Sequence, residues 1–346
     1  MRIGIQASYS GGFKETASEI RDLESAGLDV AMMAEVYTFD AVSQLGYLAA
    51  VTERVELMSA ILPIYSRTPA LTAMTAAGLD FVSDGRFTLG LGASGPQVIE
   101  GWHGVPYDAP LQRTREVVEI CRQVWRRERL EHAGKKYTIP LPPEQGTGLG
   151  KPLKLINTPL RSDIPILLAA LGPKNVELAA EIAKIWEPIW FHPEKASDVW
   201  GESLVAGKAK RDPSLGELQV LVGVPVAIGD DVDALHDQVR PALALYVGGM
   251  GARGKNFYND LAVRYGFEAE ATAVQDLYLD GKKDEAAAAL PDELVRAVSL
   301  IGPDSYVAER IAAFAEAGVT TLAVQPMDGS REARLKTVET MKRLAG

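Results

Sequence analysis

Short apolar runs alternate with amphipathic stretches along most of the chain. Runs at 2–7, 29–34, 55–62 and 87–92, then 165–170, 185–191, 218–228 and 320–325, have the length and continuous apolar character of buried strands. Between them lie helical patterns. Residues 14–26 put Ala17, Ile20 and Leu23 on one face and stop at Gly27, which suits a C-terminal cap. Residues 69–83 open with Pro69 and close on the turn Ser83-Asp84-Gly85. Residues 113–128 align Val117, Ile120, Cys121, Val124 and Trp125, which makes Cys121 a packing residue rather than a reactive thiol.

Continuous apolar strands, each followed by a helix, predict a parallel sheet covered by helices. Eight such units predict a closed α/β barrel, (β/α)8, as one domain spanning residues 1–346. A barrel needs about 250 residues, so the remainder is assigned to insertions. One is expected near 131–164, rich in Pro and Gly. The larger lies between strands seven and eight, near 241–300, with helical patterns at 256–265 and 270–289.

Composition narrows the chemistry. The net charge of −10 and the absence of clustered Lys and Arg argue against a nucleic-acid surface. The basic run at Arg126-Arg127-Glu128-Arg129 ends a helical pattern and suits the helix C-terminus. One cysteine rules out an internal disulfide, and the four histidines are too dispersed for a local metal motif. No apolar run has the length of a membrane span, and the N-terminus shows no leader-type segment, so a soluble cytoplasmic protein is expected.

Several strand ends carry candidate chemistry. Gly90-Leu91-Gly92-Ala93-Ser94-Gly95 matches G-x-G-x-x-G, but Gly90 and Gly92 fall inside a strand and the next long helical pattern begins near Arg113. The segment therefore reads as a Gly-rich loop against which a flat ring can lie, rather than a dinucleotide turn. Ala170-Leu171-Gly172-Pro173-Lys174 opens a helix and is either an anion site or an ordinary turn. Glu35 closes the second strand and is either catalytic or a loop cap; Arg67, after the third strand, is expected in an ion pair.

Taken in order, these blocks resemble the luciferase-like monooxygenase superfamily, in its branch of deazaflavin (coenzyme F420)-dependent oxidoreductases. The likeness rests on 28–35, on Arg67-Thr68-Pro69-Ala70 through 80–87, on Leu89-Gly90-Leu91-Gly92, on 170–174, and on 298–320. It implies a TIM barrel, a homodimer and a cofactor in the cleft at the C-terminal face. By that resemblance Glu35, Ser59, Ala60, Ile61, Gly92, Ala93, Ser94, Gly95, Leu171, Gly172, Pro173 and Lys174 line the cofactor, and a non-prolyl cis peptide joins Ala60 to Ile61. The implied activity is hydride transfer to or from a small organic substrate. FMN-dependent oxygenation is the alternative on the same fold, and a non-catalytic deazaflavin-binding protein is a third reading. Better-defined substrate classes of the branch do not carry over: Val36 stands where one has histidine, Gly95 where it has an acid, and Gln6 where another has an acid.

On the substrate side, Trp190 and His192 close the sixth strand. His192 is either a proton donor or a surface histidine before Pro193. Gly248-Gly249-Met250-Gly251 reads as a flexible lid bearing Arg253 and Lys255, two cations for an anionic cofactor tail or substrate. No metal site is expected.

Overall fold

The computed structural model describes residues 1–8 and 12–346. Eight parallel strands follow one another round the barrel in chain order: β1 (Arg2–Gln6), β2 (Val30–Met33), β3 (Glu56–Ser59), β4 (Phe87–Gly92), β5 (Ile166–Ala169), β6 (Ile185–Glu187), β7 (Gln219–Ile228) and β8 (Thr321–Pro326). β8 pairs with β1 (Ile3 opposite Leu322), and β6 pairs with β7 (Ile185 opposite Gln219), which closes the sheet. The expected barrel is the observed one. Every strand lies inside its predicted run, except that β8 reaches Pro326.

Period-two alternation divides each strand between two cores. Val30, Met32, Met58, Leu167, Ile185, Leu221 and Ala323 fill the barrel interior. Ile3, Ile5, Leu57, Leu89, Leu168, Trp186, Val222 and Val324 belong to the larger layer between strands and helices. At about 25 cal/mol per Å² of apolar surface, this outer layer is the main favourable term.

The helices obey local end signals. α1 (Phe13–Ser25) stops before Gly27, whose φ of +96° a residue with a side chain rarely adopts. α2 (Ala41–Val51) is capped by Asp40, whose side chain accepts from the Ser43 N–H at 2.8 Å. α3 (Pro69–Val82) starts on Pro69 behind the Thr68 cap. α4 (Pro110–Trp125) buries Cys121 completely. α5 (Pro173–Ile182), α6 (Ala196–Lys208), α7 (Asp304–Glu316) and α8 (Arg331–Ala345) complete the ring.

Two local expectations change. A six-residue helix, Pro96–Gly101, follows Gly95 directly, where the pattern left a loop to Arg113. It is too short for a periodic stripe, which is why patterning passes over it. The pattern at 270–289 is two helices, Glu268–Leu279 and Lys283–Ala288, broken at Gly281 with φ +82°.

The insertion at 131–164 holds a small hairpin, His132–Ala133 with Thr138–Ile139. Glu116 of α4 accepts from the backbone N–H groups of Lys135, Lys136 and Tyr137, stitching the hairpin to the barrel. After β7 the chain makes a helix, His236–Ala244, a π-helical turn, Leu245–Gly249, and then Phe257–Arg264. It rejoins the sheet through Leu300–Gly302, which pairs with the C-terminal end of β7.

Candidate functional site

At the C-terminal ends of β3, β4 and β5 the structure builds a smooth apolar floor. The Ala60–Ile61 peptide is cis, as the resemblance implied. The chain then resumes pairing at Leu62–Pro63 beside Leu91 and Gly92. Two glycines of β4 make room for this bulge. A Cβ on Gly90 would fall 1.7 Å from the Ser59 carbonyl oxygen. A Cβ on Gly92 would lie 2.9 Å from Ile61 Cδ1 and 3.6 Å from Ala169 Cβ, so Ile61, Gly92 and Ala169 form one continuous surface. Ser59 is expected to line that surface, but its hydroxyl is buried. It donates to the Gly90 carbonyl (3.0 Å) and accepts from the Gly90 N–H (2.8 Å). Its side chain braces the bulge from behind.

Around the floor stand the two loops singled out in the sequence. Ala93, Ser94 (φ +57°) and Gly95 lead into Pro96–Gly101, and the Ser94 carbonyl accepts from the Tyr107 hydroxyl at 3.3 Å. The loop after β5 is pinned by two tryptophans. Trp186 Nε1 donates to the Ala170 carbonyl (2.9 Å) and Trp200 Nε1 to the Leu171 carbonyl (3.1 Å). With those carbonyls held back, Gly172 caps α5 facing open space, and the helix start presents backbone N–H groups. Pro173 occupies the first turn, where its missing N–H matters least. The Lys174 amine is exposed and bound to Glu177 at 2.8 Å, so the turn offers backbone donors rather than side-chain charge.

Glu35 and Arg67 meet across the rim. Their bidentate pair spans 2.5 and 2.8 Å with both side chains largely buried, and Glu35 Oε2 also accepts from the Ala41 N–H at the start of α2 (3.0 Å). The expected Arg67 ion pair is therefore present, and its partner is the residue named as catalytic. With both oxygens committed, Glu35 is a clamp between β2, α2 and the loop before α3.

His192 also lies apart from the floor. Its ring is buried beside that of Tyr265, with Nδ1 3.1 Å from Glu194 and Nε2 3.7 Å from Glu293. Arg310 of α7 holds Glu194, and Lys195 holds Glu293. Burial pulls the imidazole pKa below its ordinary value, against the neighbouring carboxylates. Its backbone N–H donates to the Tyr265 hydroxyl, which in turn donates to the Trp190 carbonyl (3.0 Å).

Trp190 lies just beyond β6 in the turn that leads to His192. It sits at φ +50°, its indole N–H is buried with no hydrogen-bond partner, and its ring packs edge-on against Tyr246 at 5.6 Å. Tyr246 packs on Tyr258 at 4.7 Å. Burial pushes the Tyr258 hydroxyl up to about 12, with Tyr246 and Tyr107 adding to the rise. The larger insertion thus packs onto Trp190 through aromatic rings. The glycines read as a lid hinge are packing positions: a Cβ on Gly248 or Gly249 would come within 2.5 Å of Tyr278. Asn256 and Asn259 lock the π turn by donating to the Tyr246 and Val247 carbonyls. Arg253 is tied to Asp276 at 2.7 Å on the surface, and Lys255 is exposed in the same loop.

Sequence patterning passed over the polar part of the barrel mouth. Ile185 and Leu167 face the interior, and Glu187, opposite Ala169, is two residues further along the same face. The Glu187 carboxyl has no hydrogen-bond or ion-pair partner among the described residues, and burial pushes its pKa up to about 7. Gln6 of β1 has a buried, unpartnered amide nitrogen, and Gln325 of β8 lies over Gly223. Glu187 falls inside the apolar run expected at 185–191, and only the early end of β6 puts this acid at the active face of the barrel.

A cavity of about 630 Å³ lies at the opposite, N-terminal end, lined by Arg2, Asp29, Arg54, Arg86, Arg161 and Lys184 among others. Several of its cations are committed. Arg2 pairs with Glu56, Arg161 with buried Asp80, and Arg86 donates to the Val55 carbonyl. These contacts tie strands to loops at the end of a barrel that serves stability.

The model of the luciferase-like monooxygenase family matches residues 1–321. A Mycobacterium tuberculosis protein provisionally named a coenzyme F420-dependent oxidoreductase is 43% identical over 94% of both chains. The 5,10-methylenetetrahydromethanopterin reductase of Archaeoglobus fulgidus is 28% identical over 92% of both. The solved coenzyme F420-dependent tetrahydromethanopterin reductase of Methanopyrus kandleri superimposes with a TM-score of 0.79 over 98% of this chain and 96% of its own, at 22% identity. Among the described residues no helix is long and apolar enough to cross a membrane.

Proposed function

The chain belongs to the luciferase-like monooxygenase family, and on that premise we propose that it is an oxidoreductase using coenzyme F420 to exchange a hydride with a small organic substrate. The observation that carries this reading is the 43% identity, sustained over nearly the whole of both chains, to the mycobacterial protein of that name.

The residues fit a flat tricyclic ring. Ile61, Gly92 and Ala169 offer a surface free of protruding atoms, and any side chain at position 92 would intrude on it. Ala60 and the 93–95 loop border this surface, while the start of α5 at 171–174 offers N–H donors to an anionic tail. A deazaflavin held there supplies two-electron hydride chemistry and activates oxygen poorly. The protein's part is to seat the ring, keep water from it and manage one proton. The rings of Trp190, Tyr246 and Tyr258 exclude water on one side.

We place the enzyme in the cytoplasm as a homodimer acting on a small molecule, with neither nucleic acid nor membrane as partner. The exposed apolar side chains Phe39, Leu71, Met74 and Phe81, around α2 and α3, support the dimer.

Titration of the purified protein with oxidised coenzyme F420 and, separately, with FMN tests the assignment. Quenching or a spectral shift is expected with the deazaflavin. Tight FMN binding without a deazaflavin response rejects it, and deazaflavin binding with no turnover on enones, aldehydes and alcohols leaves only a carrier.

A further inference from the structure

We propose that Glu187 is the acid–base residue of the reaction, holding the proton that accompanies hydride exchange on an uncharged carbonyl or alcohol substrate. This rests on the deazaflavin reading and names the residue and substrate class it leaves open.

The geometry begins with the floor. Ile61 in the bulge after β3, Gly92 at the end of β4 and Ala169 at the end of β5 follow one another round the barrel, and Glu187 is the register partner of Ala169 on β6. Adjacent strands lie about 4.8 Å apart, so the carboxyl stands one strand beyond the ring's seat, on the same layer. Across the mouth the corresponding positions carry amides. Gln6 has a buried NH2 without an acceptor, and Gln325 is exposed toward the opening. No charged group from β1, β5 or β8 contributes to the state of Glu187; burial alone raises its pKa, to about 7. That value suits a group that must both give and take a proton near neutrality. The other acid named at a strand end, Glu35, is consumed by Arg67 and Ala41. His192 is walled off by Glu194 and Glu293.

In the reductive direction the reduced deazaflavin, when bound, would supply a hydride to the carbonyl carbon as the C=O π pair moves to oxygen. The Glu187 O–H bond breaks to protonate that oxygen, leaving an alcohol, oxidised deazaflavin and a carboxylate. Solvent restores the proton through the side of the mouth where Gln325 is exposed. Oxidation runs the same steps backward. The polar groups at these strand ends are uncharged amides, which is why the substrate is assigned as neutral.

Carboxyl infrared difference titration of the cofactor-free protein, for the wild type, Glu187→Gln and Glu187→Asp, provides the first readout. A carboxyl titrating between pH 6 and 8 in the wild type and lost in E187Q is expected; its absence overturns the proposal. Coenzyme F420 affinity, followed by fluorescence, should stay within about twofold in E187Q, since the floor is untouched. Single-turnover reduction of 2-cyclohexen-1-one and benzaldehyde gives the third readout. The wild-type rate should fall above pH 7, and E187Q should be about 10²-fold slower and flat with pH. E187D should restore part of the rate and a pH dependence. Wild-type rates and profile in E187Q, with F420 still bound, overturn the role of Glu187 alone. Failure of the wild type to reduce either probe overturns the carbonyl class. Failure of the wild type to bind F420 overturns the underlying reading.

Discussion

Removing Arg67 should expose how much of the rim depends on its pair with Glu35. The two side chains are 14% and 9% exposed, joined by two charge-assisted bonds of 2.5 and 2.8 Å. Arg67→Ala leaves a buried carboxylate with only the Ala41 N–H at 3.0 Å to satisfy it. Breaking one side of such a pair costs about 3–5 kcal/mol, most of it the desolvation of the stranded charge. For 346 residues, at roughly 2 cal/mol/K of unfolding entropy per residue, each kcal/mol moves the midpoint by about 1.4 °C. R67A should therefore unfold ~4–7 °C lower in a thermal scan at fixed rate. Glu35→Met with Arg67→Met should recover most of the loss, because an apolar pair of similar volume carries no buried charge. The double variant should also keep wild-type pH dependence of turnover, since Glu35 moves no proton. A midpoint in R67A within ~1 °C of wild type, or a coupling below about 1 kcal/mol in the double-mutant cycle, refutes the clamp.

Gly92→Ala places a Cβ 2.9 Å from Ile61 Cδ1 and should push that side chain into the ring's seat. About 1–3 kcal/mol of overpacking, or roughly 10–100-fold weaker F420 affinity by fluorescence titration, is expected; unchanged affinity would remove the floor from the site. Gly248→Ala drives a Cβ to 2.5 Å from the Tyr278 Cβ. Its midpoint should drop while a flexible hinge would tolerate it, so circular-dichroism melting decides between packing and lid. Glu116 gives a pH prediction. Burial raises its pKa, but bonds from Gln112, Tyr137, Lys136 and His132 outweigh this and hold it below the ordinary 4.5. A depressed folded pKa means the stabilisation is complete above 4.5 and is lost as pH falls through the folded value. Limited proteolysis at 131–164 should accelerate in that acid range, and Glu116→Gln should show faster cleavage already at pH 7, having lost about 1–3 kcal/mol of hydrogen bonding.

Much of the barrel was legible in the chain because strands and helices are written in local periods. Leu167, Leu168 and Ile185, Trp186 alternate between interior and helix layer as the pleat demands, and Gly27, Pro69 and Ser83-Asp84-Gly85 stop and start helices by backbone preference alone. The cradle was legible through resemblance, down to the Ala60–Ile61 bulge, although Ser59 proved to face its strand neighbour. Pro96–Gly101 escaped because one and a half turns leave no stripe to read. The glycines of 248–251 suggested mobility, whereas the space beside Gly248 and Gly249 is filled by Tyr278, some thirty positions away, and that beside Gly251 by the backbone of Lys255 and Asn256.

The sequence by itself determined the order of elements, the barrel that eight such units must close, and which end of it carries polar loops. Only the tertiary structure decided what each polar group is able to do. Glu35 follows β2 and Glu187 closes β6, and nothing local tells which of the two acids is committed. Arg67, brought from another loop, spends the first, while the second is buried with no charged group acting on it. Propensity and period act over a few residues; charge and solvation are settled by whichever side chains the closed barrel brings within a few ångströms.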